Sequence, residues 1–111
     1  MTIEALWSVV FSTPTGDAGG GVVILDTNRV FGGDGGYYYI GSYAVKDGQI
    51  TMDIEVVKYN KMVESVFGPL QKFRLELKGM VKESQMTLSG SVIGSPQHII
   101  TISAVRRAEL P

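Results

Sequence analysis

Residues Gly32 to Tyr43 read GGDGGYYYIGSY: a glycine-rich turn around one carboxylate, Asp34, running directly into a segment with four tyrosines. Glycine accepts φ > 0 and lets another backbone come close, whereas tyrosine favours an extended, half-buried strand. The stretch therefore predicts a tight turn, built by Gly32, Gly33, Gly35 and Gly36, that feeds an aromatic strand. Asp34 is predicted to accept backbone hydrogen bonds of that turn and so to fix the direction in which the strand leaves it. On alternation, Tyr37, Tyr39, Gly41, Tyr43 and Val45 share one face, and Tyr38, Ile40, Ser42 and Ala44 share the other. Gly41 would leave a dent between two rings, admit a neighbouring strand or mark a bend.

Working outward, the same two-residue period recurs on both sides. Thr2 to Phe11 places Ala5, Trp7, Val9 and Phe11 on the better core face. Ser12 to Gly19, with Pro14, Gly16 and Asp17, interrupts the strand and favours a loop. Val22 to Leu25 is apolar on both faces, so its orientation stays open, and Asp26-Thr27-Asn28 closes a turn into Arg29 to Gly33. Beyond the tyrosines, Lys46-Asp47-Gly48-Gln49 is the sharpest hairpin signal, because Asp-Gly tolerates left-handed φ. Ile50, Met52, Ile54 and Val56 then alternate with polar residues. Lys58 to Pro69 is the longest ambiguous connection, with room for one short helical turn and an apolar underside of Met62, Val63, Val66 and Phe67, and Asn60 to Pro69 is expected to be the least regular segment. Phe73, Leu75 and Leu77 follow on one parity, then Met86, Leu88, Gly90 and Val92. Gly94-Ser95-Pro96-Gln97 is read as the turn before a last strand from His98 to Arg107.

About eight short strands with short connections favour an antiparallel meander, since parallel neighbours need crossovers of a dozen or more residues. Laid out flat, such a sheet leaves two edges; closing it pairs first with last and removes them. The expected fold is all-β, a small eight-stranded antiparallel up-and-down barrel filled by Trp7, Tyr37, Tyr39, Phe73, Leu75 and Ile100. A two-sheet sandwich is the nearest alternative. At 111 residues the chain supports one core, so residues 1–111 are read as a single domain.

Composition narrows the function classes. No cysteine is present, which removes disulfides and thiolate chemistry. The stretch MTIEALWSVVF at 1–11 lacks a basic n-region, and no run approaches a transmembrane helix, so a cytoplasmic protein with no membrane partner is expected. Ten Lys and Arg against eleven Asp and Glu give a formal charge of -1, with no generic drive towards nucleic acid. Lys72, Arg74 and Lys78 share a strand face, but Glu76 interrupts them. His98 is the sole histidine, which argues against a histidine-rich metal site. Asp53 and Glu55 share a strand face in the manner of ordinary surface acids, and sequence spacing alone does not establish a catalytic pair. The runs GDAGGG at 16–21 and GGDGG at 32–36 lack the Lys-Ser/Thr ending or following helix of a phosphate loop. No catalytic residue, metal site or cofactor is expected, and the chain is read as a non-enzyme.

Trp7, Gly19-Gly20-Gly21-Val22-Val23, GGDGGYYYIGSY at 32–43 and VVKYN at 56–60 together resemble the bacterial negative regulators of type III secretion of the GrlR type and their uncharacterised relatives. The likeness covers nearly the whole chain in strand order, and its most specific element is the glycine-aspartate turn followed by tyrosines. It implies a lipocalin-like barrel, a homodimer, and repression through binding a transcriptional activator rather than DNA. Where those regulators carry a compact acidic loop after the tyrosine strand, this chain has VKDGQI at 45–50 with Asp47 alone. Tyr43 and Asp47 are the protein-binding candidates that follow, and Val23, Leu25, Val57 and Ile99 the candidates for a dimer face. The alternative function is a lipocalin-like barrel for a small apolar ligand, in which tyrosines supply apolar contact with a polar handle.

Overall fold

The computed structural model describes residues 3–16, 18–62 and 71–111. Eight strands follow one another: β1 (Ala5–Ser12), β2 (Ala18–Asp26), β3 (Arg29–Gly33), β4 (Tyr37–Lys46), β5 (Gln49–Lys58), β6 (Lys72–Met80), β7 (Gln85–Val92) and β8 (Ser95–Ala108). Each pairs antiparallel with the next, and β1 pairs with β8, from Leu6↔Ala108 to Ser12↔Thr101, so the sheet is a closed barrel. Closure leaves no unpaired edge.

Two-residue turns set the register on one side of the ring. Thr27 and Asn28 both have positive φ, 53° and 63°, as do Asp47 and Gly48, 54° and 77°, the backbone that matches the twist of flanking strands. The last hairpin turns earlier than its sequence suggests: Val92 pairs with Ser95, so Ile93-Gly94 is the turn and β8 already begins at Ser95. Gly94 carries the positive φ, and the apolar run His98 to Arg107 hid the polar residues that start the strand. Similarly, β2 takes in Gly19, Gly20 and Gly21, because β1 pairs with them through Phe11, Val10 and Val9.

Alternation sorts the walls. Ala5, Trp7, Leu25, Val30, Ile50 and Leu77 are fully buried, with Tyr37, Tyr39, Leu75, Leu88 and Ile100 close behind. Phe73 packs against this core but is only partly buried. Pairing with β1 decides the orientation of β2: Ala5↔Leu25 and Trp7↔Val23 place Val23 and Leu25 inside, so neither belongs to an outer dimer face. Val57 is half-buried and Ile99 exposed. Gly41 is a point of close approach, since a Cβ there would collide with the Asp53 carbonyl oxygen and sit 2.9 Å from Ile54 Cα. Met62 is 91% exposed and covers nothing, while Val63, Val66 and Phe67 lie outside the described residues.

The outward faces of β5 and β6 are charged. Arg74 Nη2 reaches both oxygens of Asp53, at 2.7 and 2.6 Å, and Lys72 lies 3.7 Å from Glu55. This accounts for the acid row on β5 and neutralises two of the three cations on β6; Asp53 also holds the Arg74 guanidinium above its ordinary pKa. No helix among the described residues is long and apolar enough to cross a membrane.

Candidate functional site

The two ends of the ring differ. In a meander the connections alternate, so 13–16, 34–36, 59–62 and 93–94 lie at one end and 27–28, 47–48 and 81–84, with the start of β1 and the end of β8, at the other. The second end is sealed. The indole of Trp7 donates from Nε1 to the Ile3 carbonyl at 3.0 Å, and the Arg106 guanidinium lies 6.0 Å from its ring centroid. Thr27 N–H donates to Glu4 Oε2 at 2.8 Å, tying the β2–β3 turn to the start of β1.

Between this plug and the first end the barrel encloses a cavity of about 320 Å³. Its floor includes Trp7, Leu25 and Leu77, its walls Ile54, Val56 and Leu75, and its rim Phe11, Gly19, Asp34 and Tyr37. The rim residues all belong to the end carrying the Asp34 turn, and none of the turns at the plugged end takes part. Among the described residues the cavity is thus a blind, apolar pocket with one mouth. Gly19, on the inward parity of β2 with Val23 and Leu25, lies at the rim against the Phe11 ring, where a Cβ would stand 2.7 Å from Phe11 Cε2.

The Asp34 turn forms the polar part of that mouth. Asp34 Oδ1 accepts from Gly36 N–H at 2.7 Å and from Tyr37 N–H at 2.8 Å, and the Tyr39 hydroxyl donates to Oδ2. The bond is possible because Gly21 lies beneath it: a Cβ at that position would stand 2.9 Å from the Tyr39 hydroxyl and 2.7 Å from the Gly33 carbonyl oxygen. Burial, reinforced by the hydrogen bond to Asp34, raises the Tyr39 pKa far above its ordinary value, so the phenol keeps its proton.

A second layer holds the turn from outside. The Tyr59 hydroxyl donates to the Asp34 carbonyl, Asn60 Nδ2 to the Gly35 carbonyl at 3.0 Å, and the backbone N–H groups of Tyr59 and Asn60 to Gly36 O at 2.9 and 3.2 Å. Sequence reading left Tyr59 and Asn60 inside an irregular connection. The signal that could have found them was their place in VVKYN, immediately after a clean strand, with one phenol and one amide able to reach turn carbonyls.

Of the sequence-derived candidates, Asp34, Gly35, Gly36, Tyr37 and Tyr39 line the mouth; Gly32 and Gly33 belong to β3, paired with Val23 and Val22 on one side and Tyr39 and Tyr38 on the other, rather than to the turn, and Gly41 lies further along β4. Tyr43 faces inward near the plugged end and is 7% exposed, because it shares parity with Tyr37 and Tyr39. Burial also raises its pKa. Its ring therefore offers little to a partner on the outer wall. Asp47 lies exposed in the β4–β5 turn, at the plugged end and away from the cavity.

No protein-family profile matches the chain, and no curated protein matches it. Among solved structures it is similar to a redesigned beta barrel, with a TM-score of 0.50 and 12% identity over 95% of this chain and 91% of that chain. At that identity the likeness concerns the fold alone: an eight-stranded, all-antiparallel, closed β-barrel able to enclose a cavity.

Proposed function

We propose that this protein is a lipocalin-like carrier or sensor of a small, mainly apolar molecule held inside the barrel. The observation that carries the reading is the blind apolar cavity with a polar rim at its single mouth. An apolar cavity of about 150 Å³ stays dry and takes up benzene, and this one, about 320 Å³, has room for a correspondingly larger body. Ligand pockets combine apolar walls with a few placed polar groups, and Asp34, Tyr37 and Tyr39 supply them here. Trp7, the sole tryptophan, lines the floor and is a built-in reporter. Titration with the neutral fluorophore N-phenylnaphthylamine should give saturable enhancement of its emission and matched quenching of Trp7. A folded protein with no saturable uptake of the probe would overturn the reading.

The outer wall supports a second reading, the partner-binding role implied by the resemblance to secretion regulators. Ile24, Phe31 and Ile40 lie side by side across β2, β3 and β4, as do Val22, Gly33, Tyr38 and Val57 across β2 to β5. Val22, Phe31, Tyr38 and Ile40 are exposed. Contiguous apolar patches of this kind mark interaction surfaces. A homodimer through this face would sediment as a dimer, and Ile40→Lys would return it to a monomer. A monomer at all concentrations would remove the dimer from this reading.

A further inference from the structure

The cavity mouth is asymmetric in hydrogen-bonding character, and that asymmetry specifies the head group of a ligand. Among the described residues the polar side chains lining the cavity are Asp34, Tyr37, Tyr39 and the indole of Trp7; no Lys, Arg or His lines it. Arg29, Lys72 and Arg74 are paired with Asp26, Glu55 and Asp53. Among the described residues the donors bonded to the Asp34 carboxylate are neutral: two backbone N–H groups and one phenol.

An ionised carboxylate has about four acceptor sites, and three donors among the described residues reach the Asp34 carboxylate where it lines the cavity. The Tyr39 hydroxyl keeps its proton and donates it to Asp34 in a hydrogen bond, so it is not a donor left over for a ligand. Trp7 spends its only donor on Ile3. The rim thus places a negative charge at the end of a long apolar wall.

Resting on the ligand-binding reading above, we infer that the cavity selects molecules with an apolar body and a cationic, hydrogen-bond-donating head, an amine, over those with a carboxylate. An ammonium at the mouth meets an opposite charge and an acceptor; a carboxylate meets a like charge. Two unit charges a few ångströms apart in a partly solvated site interact strongly enough to separate such ligands by roughly tenfold or more.

The experiment is displacement of bound N-phenylnaphthylamine by a matched octyl series, octylammonium, octanol and octanoate, at neutral pH and low salt. Octylammonium should displace the probe at concentrations at least about tenfold below octanoate, with octanol between. In Asp34→Asn, which keeps an amide oxygen for Gly36 and Tyr37 N–H, the spread should collapse while circular dichroism stays that of the parent. Octanoate equal to or better than octylammonium, with the probe still bound, would overturn the head-group inference and leave the ligand-binding reading standing. Failure of the probe to bind would overturn both. An unchanged spread in folded Asp34→Asn would also overturn it, by removing Asp34 as the source of selection.

Discussion

Replacing Asp34 by Ala removes the acceptor for three donors at once. Hydrogen bonds to a charged group contribute about 1.5–3 kcal/mol each when buried, but the three here are not equivalent. Gly36 and Tyr37 N–H lie in a turn at the mouth, where water can replace part of what is lost. The Tyr39 hydroxyl is enclosed, its ring 8% exposed, and would be left without its acceptor. The expected cost is therefore about 2–4 kcal/mol, rather than the full sum. Asp34→Asn should cost about 1 kcal/mol, since its amide oxygen still serves the turn, and Tyr39→Phe a similar amount. Equilibrium unfolding in urea, followed by Trp7 fluorescence, reads all three. Because Asp34 and Tyr39 are directly bonded, the double variant Asp34→Ala/Tyr39→Phe should be less destabilised than the sum by about 1 kcal/mol or more. Additivity within about 0.5 kcal/mol, or a cost below that for Asp34→Ala alone, would refute the view that this contact organises the mouth.

The floor and the rim should respond differently to truncation: Trp7→Ala should cost about 3–5 kcal/mol, and half-buried Phe73→Ala clearly less, in urea unfolding followed by far-UV circular dichroism. Gly41→Ala should lower stability by about 1–3 kcal/mol, because its Cβ meets the Asp53 carbonyl, and a thermal melt unchanged from the parent would contradict that packing. Stability should also fall above about pH 10. The Tyr39 pKa is raised on folding, so its contribution is complete below the unfolded value and is lost as pH climbs from there towards the folded one, by at most about 1.4 kcal/mol per pH unit. Tyr39→Phe should remove that part of the alkaline slope, and an identical slope in both proteins would disprove the assignment.

Alternation made most of the wall legible. Trp7, Tyr37, Tyr39, Leu75 and Ile100 all face inward, as their parity requires, and Asp34 accepts the turn N–H groups that a carboxylate so placed can reach. The orientation of β2 was not legible, because Val22 to Leu25 is apolar on both faces and only its register with β1 decides which pair enters the core. Tyr43 was misleading for the opposite reason: a tyrosine near a hairpin suggests a surface anchor, yet its parity with Tyr39 carries it inside. The cavity could not be read at all. Whether inward side chains meet or leave a void depends on the radius of the closed ring, which is a property of eight strands together. The clasp of Tyr59 and Asn60 on the Asp34 turn links residues 25 apart in sequence, so their place after a clean strand in VVKYN marks the pair without showing what it holds.

The plug of Trp7 beneath Arg106 makes the barrel a vessel with one door. Any molecule that goes in must come out past Asp34 and Phe11, so arrival and departure share the same barrier. A molecule or segment that covers the mouth without touching the occupant slows both by the same factor and leaves the affinity where it was. Changes to the floor, such as at Leu25 or Leu77, alter how tightly an occupant is held without altering the doorway. Residence time and affinity can accordingly be set independently, at opposite ends of one small molecule.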